Sequence, residues 1–311
     1  MTFLVYDDIF LQHDTGLGHP ENAKRLEHTV RHLRECKLWE QLKVERPRAA
    51  NPEEIGLVHP QAYIMNIKQI ADSGGGWLDA DTVVSPASYD AAVYAAGAPL
   101  TAVDLIMKGE GKNAFCLIRP PGHHATPARG MGFCIFNNAA IAAKYLQWKY
   151  RLERICIVDW DVHHGNGTQD AFYSDPTVLF LSMHRYPFYP GTGRKEEDGE
   201  GKGKGFTVNI PLLADTNSGK YIETFMDIME HRVNQFAPEF IIISAGFDTY
   251  KKDPVGGLNL ETEDFRTLTE VVMKCAEKCC GGRIVSCLEG GYNLSVLPFC
   301  IEAHLKALLQ A

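Results

Sequence analysis

Positive charge is scarce in this sequence. Lysine and arginine total 31 residues against 39 aspartate and glutamate residues, so the formal net charge is −8. Proteins that grip phosphate backbones present basic patches, and this balance therefore argues against direct nucleic-acid binding. Disorder is excluded as well, because 45% hydrophobic and 23% charged residues is the composition of a globular chain. At this length, we expect one domain spanning residues 1–311.

Targeting and membrane-spanning segments are also missing from the sequence. The first residues carry no basic cluster, and Asp7 and Asp8 stand where a signal peptide would need apolar residues. The most apolar long window, residues 91–107, contains a glycine, an aspartate and Pro99, so a membrane span of ~20 residues is not expected. The sequence therefore predicts no membrane partner.

Disulfide chemistry is not indicated by the nine cysteines. Their number is odd and no Cys-x-x-Cys pair occurs. Cys116, Cys156 and Cys287 lie inside apolar runs, where cysteine packs as a small hydrophobic residue. Disulfides persist in oxidising compartments. We therefore expect an unexported, cytoplasmic protein with reduced thiols.

Short apolar runs alternate with longer amphipathic stretches along the chain. The runs predict buried strands at residues 3–6, 114–118, 154–158, 178–182, 206–210, 240–244 and 284–288. The amphipathic stretches predict helices at residues 21–35, 88–107, 137–150, 218–235, 261–279 and 295–309. Asn217 and Thr262 have the side chains of helix starts. Such alternation is typical of a single doubly wound α/β fold, whose mainly parallel sheet has helices on both faces.

One segment departs from this pattern. Residues 191–205 combine six glycines with eight charged residues. No Gly-Lys-Ser/Thr follows a strand there, as a phosphate-binding loop would require. A mobile, solvated surface loop is therefore favoured over a nucleotide site.

Polar residues and glycines follow five of the predicted strands. They form the segments 119–124, 159–167, 182–184, 245–248 and 289–292. Ligands of open parallel sheets bind beyond the carboxyl ends of the strands. We therefore expect these segments to build one shared site.

Three residues at these strand ends have the pattern of a catalytic metal site. Asp161 and His163, two positions apart, can face one point, and Asp248 can add a third ligand from another strand end. Two carboxylates and one imidazole leave a fourth position open, as in catalytic zinc sites. An isolated Asp-x-His pair is more often a surface turn, but the clustering at strand ends favours a metal site.

Two further features can be functional or structural. The tandem histidines His123 and His124 follow a Pro-Pro-Gly turn, where a general base would be useful, although such a pair more often faces solvent. Tyr292 follows two glycines that let the backbone bring its hydroxyl close to a substrate. Taken alone, a tyrosine in this context is more often a packing residue.

These residues carry a resemblance to a known family. The strings RPPGHHA, GFCIFNN, DWDVHHGNG, SAGFD and LEGGYN occur in this order, and the similarity extends from His19 to Tyr292. The sequence resembles the zinc-dependent histone deacetylases and their microbial relatives, the histone deacetylase-like amidohydrolases, which have the arginase–deacetylase fold. Asn166, where class I members have aspartate, and Trp160 point to the class II-like branch.

The resemblance implies a zinc-dependent amidohydrolase that removes acetyl or other acyl groups from lysine side chains. It makes Asp161, His163 and Asp248 the zinc ligands and His124 the general base, while Tyr292 helps to stabilise the oxyanion. The other catalytic residues that it implies are His123, the electrostatic neighbour of His124, with Asp159 and Asn166 beside the two histidines.

A second cation and a substrate channel also follow from the resemblance. The family binds potassium near the zinc, which implies a structural site made by main-chain carbonyls and one hydroxyl, from Asp159, Asp161, His163, Met183 and Ser182. The residues implied to line the substrate channel and its rim are Gly132, the aromatic walls Phe133 and Tyr189, the rim carboxylate Asp81, and Val255.

Three alternatives remain open. A binuclear manganese ureohydrolase of the same fold would need extra carboxylates where Gly165 and Tyr250 stand. A catalytically silent acyl-lysine binding module would be expected to have lost a zinc ligand or Tyr292. The third alternative is an enzyme that hydrolyses a small acetylated amine, such as an acetylpolyamine. Such an enzyme would be expected to have an acidic residue at the entrance to its site, at the position of Val255.

Overall fold

One parallel sheet organises the molecule. The computed structural model describes residues 1–310. The sheet has eight strands in the order β2-β1-β5-β10-β9-β6-β7-β8, and its described pairs are all parallel. Its strands are β1 (Thr2–Val5), β2 (Lys43–Glu45), β5 (Asn113–Cys116), β6 (Ile155–Asp159), β7 (Val178–Arg185), β8 (Thr207–Leu212), β9 (Phe240–Ala245) and β10 (Ile284–Leu288). A separate antiparallel pair is formed by β3 (Gly76–Trp77) and β4 (Val83–Val84).

Helices surround this sheet. They are α1 (Lys24–Glu35), α2 (Pro52–Ile55), α3 (Gln61–Asp72), α4 (Ser88–Met107), α5 (Asn138–Tyr150), α6 (Asn166–Phe172), α7 (Ser218–Ile228), α8 (Asn234–Phe236), α9 (Thr262–Cys280) and α10 (Leu297–Leu308). Strands β5, β6, β9 and β10 are buried along their whole length, as expected when helices cover both faces of a parallel sheet. The predicted doubly wound α/β fold is confirmed.

Local sequence signals account for several helix ends. The Asn217 side chain accepts a hydrogen bond from the backbone N–H of Lys220 and caps α7 as predicted. Helix α9 begins with a capping box between Glu261 and Asp264, and it ends at Gly281 with φ of 61°. The helix predicted over residues 218–235 is interrupted, because residues Met229–Val233 form a wider π turn between α7 and α8.

Helix α4 has the bounds predicted from the sequence, residues 88–107. Pro99 lies within it, and the helix nevertheless continues for 20 residues. By length and composition alone α4 could cross a membrane, but 67% of its most apolar window is buried inside the protein. Gly97 explains its close packing, since a Cβ atom there would lie 1.9 Å from the carbonyl oxygen of Arg48. Burial of this kind is typical of a core helix.

Candidate active site

The carboxyl ends of four central strands converge on one buried cluster. Strand β6 delivers Asp159 and the turn that follows it, β9 is followed by Asp248, and β10 is followed by Glu289. The turn after β5 carries His123 and His124. All of these side chains are at most 3% exposed. Four of the five predicted segments therefore meet at one site, whereas residues 182–184 lie within β7 and not after it.

The predicted metal ligands lie together at the centre of this cluster. Candidate ligand atoms of Asp161, His163 and Asp248 all lie within 4.8 Å of one another. His163 Nδ1 is 3.0 Å from Asp161 Oδ1 and 3.2 Å from Asp248 Oδ2. Asp248 Oδ1 accepts a hydrogen bond from the N–H of Val162, whereas the buried Oδ2 makes no hydrogen bond beyond its contact with His163 Nδ1. A buried carboxylate oxygen without a donor is costly unless a cation satisfies it.

The charges at this cluster also call for a cation. Burial and the neighbouring Asp161 raise the pKa of Asp248 to about 7. Burial opposes ionisation of Asp161, but the charges of His123 and His163 lower its pKa below the ordinary value. Two carboxylates and an imidazole with an open side fit a catalytic divalent ion such as zinc. The residues present therefore fit the metal that the sequence predicts.

Two glycines leave space for the carboxylates of Asp161 and Asp248. A Cβ atom on Gly290 would lie 2.1 Å from Asp248 Oδ2, and one on Gly246 would lie 2.3 Å from Asp161 Oδ2. The N–H of Gly290 donates to Asp161 Oδ2 at 2.8 Å. The backbone of the segments after β9 and β10 can therefore contact both aspartates directly.

The two tandem histidines have different partners. Nδ1 of His123 lies 2.9 Å from a carboxylate oxygen of Asp159, whereas Nδ1 of His124 lies 2.8 Å from the amide oxygen of Asn166. Burial opposes the charged form of His123, but Asp161 and Asp159 raise its pKa well above the usual value. Burial and the charges of His123 and His163 lower the pKa of His124 well below it. These opposite shifts favour the charged form of His123 and the neutral form of His124, as suits an electrostatic role for the first and the role of a base for the second.

Tyr292 lies on the segment that follows β10 and is 8% exposed. Burial raises the pKa of Tyr292 well above the usual value, although the Arg25 guanidinium opposes this, so the phenol remains a hydrogen-bond donor. The guanidinium carbon of Arg25 is 4.9 Å from the centre of the Tyr292 ring, and Nε donates to the Gly291 carbonyl at 2.7 Å. Asp253 accepts hydrogen bonds from the N–H groups of Tyr292 and Asn293, at 2.6 and 3.1 Å.

Sequence reasoning missed several residues that hold this site. Arg25 and Asp253 hold the Tyr292 segment, and Glu289 Oε2 accepts the N–H groups of Gly122 and His123 at 2.7 and 3.1 Å. Glu289 lies inside the LEGGYN string, so its proximity to Tyr292 was a usable signal. Arg25 had no such signal, because it lies more than 260 residues from the loop that it contacts.

Aromatic rings surround the buried cluster. The ring of Phe133 is 5.8 Å from that of Tyr292, and the ring of Tyr189 is 5.1 Å from that of His124. Phe188, which the sequence did not indicate, stacks on His163 at 5.2 Å. Tyr189 is 36% exposed, so these rings extend from the buried histidines to the protein surface.

The backbone before Phe133 requires glycine. Gly132 has φ of 56°, and a Cβ atom there would lie 2.4 Å from Cδ2 of His124. The N–H of Phe133 donates to the Thr82 hydroxyl, whose own hydrogen goes to Asp81 Oδ1. Asp81 is therefore tied to the segment that carries one aromatic wall, and it is half-buried, as suits a residue at a rim.

The remaining predicted site residues are Val255 and the residues predicted to bind potassium. Val255 is half-buried, and its N–H donates to Asp253 Oδ1 at 2.9 Å. The residues predicted to bind potassium are all buried, and strand register places Asp159 opposite Ser182. The Ser182 hydroxyl also shares a 2.9 Å hydrogen bond with Nδ1 of His184. Potassium itself stays a prediction.

Residues 191–205 are not an unattached loop. Gly193 is buried, and its carbonyl lies 2.8 Å from Nε2 of His184. Its N–H donates to Glu197 Oε2, which also accepts the side-chain amide of Gln169. Gly199 and Gly203 are buried as well, and the N–H of Glu200 donates to the Tyr173 carbonyl at 2.9 Å, so the segment predicted as a solvated loop packs against the protein along its length.

Known proteins resemble this chain over most of its length. The sequence matches the histone deacetylase domain over residues 19–308. It is 42% identical over 302 residues to a probable deacetylase of Archaeoglobus fulgidus, which covers 96% of this chain and 84% of that protein. It is 37% identical over 300 residues to the histone deacetylase-like amidohydrolase of Pseudomonas aeruginosa, covering 96% of this chain and 79% of that protein.

A solved structure is also similar to this protein. The fold matches the HD domain of HDA15 with a TM-score of 0.94 and 34% sequence identity, covering 99% of this chain and 88% of that one. The predicted arginase–deacetylase fold and hydrolase activity are thereby confirmed. The chain belongs to the zinc-dependent histone deacetylase family.

Proposed function

We propose that this enzyme hydrolyses the amide of acyl-lysine side chains in proteins or peptides. The observation that carries the proposal is the buried trio of Asp161, His163 and Asp248, together with two buried histidines whose pKa values shift in opposite directions. Aromatic rings border the route to this trio, as suits the apolar stem of a lysine. A silent binding module would need neither the charge separation nor the protonated phenol of Tyr292.

Zinc is the proposed metal, held by Asp161, His163 and Asp248. When bound, it would supply a Lewis acid that polarises the acyl carbonyl and acidifies water. The binuclear alternative lacks support, since Gly165 and Tyr250 occupy the places of further carboxylates. A Cβ atom on Gly165 would lie 2.2 Å from Asp159 Oδ2, so a larger residue has no room there.

His124, His123 and Tyr292 have separate proposed roles in the reaction. Neutral His124 accepts the proton of the attacking water at its free Nε2, because its Nδ1 is bound to Asn166. Charged His123 stabilises negative charge that develops beside it. The Tyr292 phenol donates a hydrogen bond to the oxyanion. A histidine then returns a proton to the departing amine, so the products are a carboxylate and a free lysine amine.

The rim favours lysine over a cationic polyamine. An acidic gate would attract the additional ammonium groups of a polyamine, but Val255 is uncharged and the preceding Lys251 and Lys252 are exposed cations. Hydrolysis of acetylpolyamines remains the second candidate because the carboxyl groups of Asp79 and Asp81 lie near Tyr189, one of the proposed channel walls.

Turnover of matched substrates by zinc-loaded protein tests this proposal. We expect kcat/KM for an acetyl-lysine peptide to exceed that for acetylpolyamines. Peptides that carry longer acyl groups on lysine would show which acyl-chain lengths the site accepts. Val255→Glu should raise relative turnover of acetylpolyamines, while Val255→Ala serves as its uncharged control. Preference of the unaltered enzyme for acetylpolyamines would overturn the lysine assignment.

We also propose a structural potassium ion near the zinc and a reducing, cytoplasmic location. The buried Ser182 hydroxyl and its register with Asp159 support the former. All nine cysteines are free thiols, which supports the latter. Replacing potassium by sodium during thermal unfolding would test for the ion, and fractionation of the source cells would test the location.

A further inference from the structure

A second cluster of metal-ligating groups lies far from the strand ends, where helices α1 and α10 meet. His32 and Cys36 are one turn apart at the end of α1, and Glu302 faces them from α10. Candidate ligand atoms of these three residues all lie within 4.8 Å of one another. We propose that they form a second metal site, which takes a thiophilic divalent cation such as zinc and pins α1 to α10.

The side chains already adopt most of the required geometry. His32 Nε2 lies 2.6 Å from Glu302 Oε2, so both groups point at one place. The ring of Phe299 lies 4.3 Å from the His32 ring and holds it against α10. Around tetrahedral zinc, ligand atoms are separated by roughly 3.3–3.8 Å. On metal binding, the distance between His32 Nε2 and Glu302 Oε2 would increase, and any distance between ligand atoms above this range would decrease. Rotation of the side chains can supply both changes.

The charge around the cluster leaves one carboxylate oxygen available. Lys306 Nζ binds the other oxygen of Glu302, Oε1, at 2.8 Å. Glu302 can therefore exchange its hydrogen bond with His32 for a metal without giving up Lys306.

The ligand set selects the type of cation. A thiolate, an imidazole and a carboxylate are borderline to soft donors, which favour zinc or cadmium over magnesium or calcium. Cys36 is exposed and its thiol makes only a weak contact with the Leu33 carbonyl, at 3.6 Å, so a metal can reach it. The fourth coordination position of the metal would face solvent and hold water.

This site would act on the stability of α1. Arg25, seven residues before His32 on the same helix, binds the backbone of the Tyr292 loop and lies over the Tyr292 ring. A metal at the opposite end would fix the last turn of α1 to α10, and a ligand that binds only the folded state raises its stability. The inference does not depend on the proposed substrate.

Cadmium titration of protein loaded with one equivalent of zinc, which is enough for the Asp161–His163–Asp248 trio alone, tests the site. Cadmium bound to a thiolate gives an ultraviolet charge-transfer absorption, which the Asp161–His163–Asp248 trio cannot give because it has no sulfur. We expect one equivalent of thiolate-bound cadmium per chain, and a Tm that rises with cadmium concentration. Cys36→Ser should lose both signals, and His32→Ala and Glu302→Gln should each weaken cadmium binding at least tenfold.

Cys279→Ser is the matched control, because Cys279 is a partly exposed thiol on α9, away from the cluster. This variant should keep the full absorption and the full shift in Tm. Three results would overturn the site: no absorption in the unaltered protein, absorption that persists in Cys36→Ser, or binding that depends on Cys36 but is unchanged in both other variants. The last would mean that the thiol alone captures cadmium.

Discussion

Nδ1 of His124 shares a 2.8 Å hydrogen bond with the side-chain oxygen of Asn166. An amide oxygen is uncharged, so it orients the imidazole and favours the imidazolium less than a carboxylate would. Burial, together with the charges of His123 and His163, then lowers the pKa of His124. The choice of Asn rather than Asp at this position keeps the proposed base in its proton-accepting form.

Asn166→Asp should move the acidic limb of the pH–rate profile to higher pH. The new carboxylate favours the charged imidazole and raises the pKa of His124, so a larger share is protonated at a given pH. Measurement of kcat/KM against pH with zinc-loaded protein checks this. Asn166→Ala, which adds no charge, should leave that limb where it is or lower it. A limb that moves to lower pH in Asn166→Asp would contradict the assignment of His124 as base.

His124→Ala should keep zinc and lose rate. General acid–base catalysis contributes ~10²–10⁴-fold, and we expect a loss of that size in kcat. Metal analysis and single-turnover kinetics at neutral pH provide the measurements. Near-normal turnover in this variant would assign the base to another residue, with His123 the next candidate.

Removing any one of Asp161, His163 or Asp248 should abolish stoichiometric zinc binding at the active site together with activity. Each supplies one ligand, and the loss of one leaves two protein groups for the metal. Zinc content of the three alanine variants is best measured in the Cys36→Ser background, so that the proposed second site does not contribute. Full zinc occupancy in all three would remove the site assignment.

Tyr292→Phe tests the phenol apart from its ring. The ring keeps its contacts with Phe133 and Arg25, so folding and zinc content should be retained. Loss of one donor to an oxyanion costs ~10²–10³ in kcat, about 2.7–4 kcal/mol. KM should change less than kcat, because the bond strengthens in the transition state. Unchanged kcat would return Tyr292 to a packing role, as would unfolding of the variant.

Asp253→Asn should slow turnover without removing zinc. Asp253 accepts hydrogen bonds from the N–H groups of Tyr292 and Asn293 through one oxygen and of Val255 and Gly256 through the other. An asparagine has one accepting oxygen, so one pair of N–H groups would face an amide donor. We expect kcat to fall and Tm to drop, and combination with Tyr292→Phe to add little to the loss in kcat. Full additivity in that double mutant would show that Asp253 acts independently of Tyr292.

The sequence by itself determined the class of fold and the centre of the site. Runs of buried residues identified the long strands, and polar groups at their carboxyl ends marked Asp161, His163, Asp248 and the tandem histidines. These signals are local, since strand periodicity and the side chains just after a strand are read within about ten residues. The shorter elements, such as α2, α6 and the β3–β4 pair, have too few residues for a periodic signal.

Tertiary structure alone decided how that site is supported. The strand order places β10 between β5 and β9, which brings Glu289 to the backbone of His123 and Gly290 to Asp161. Arg25 reaches the Tyr292 loop, and His32 reaches Glu302, across more than 260 residues of chain. Such contacts depend on which distant segments become neighbours in the packed fold, and no spacing within the sequence encodes them directly.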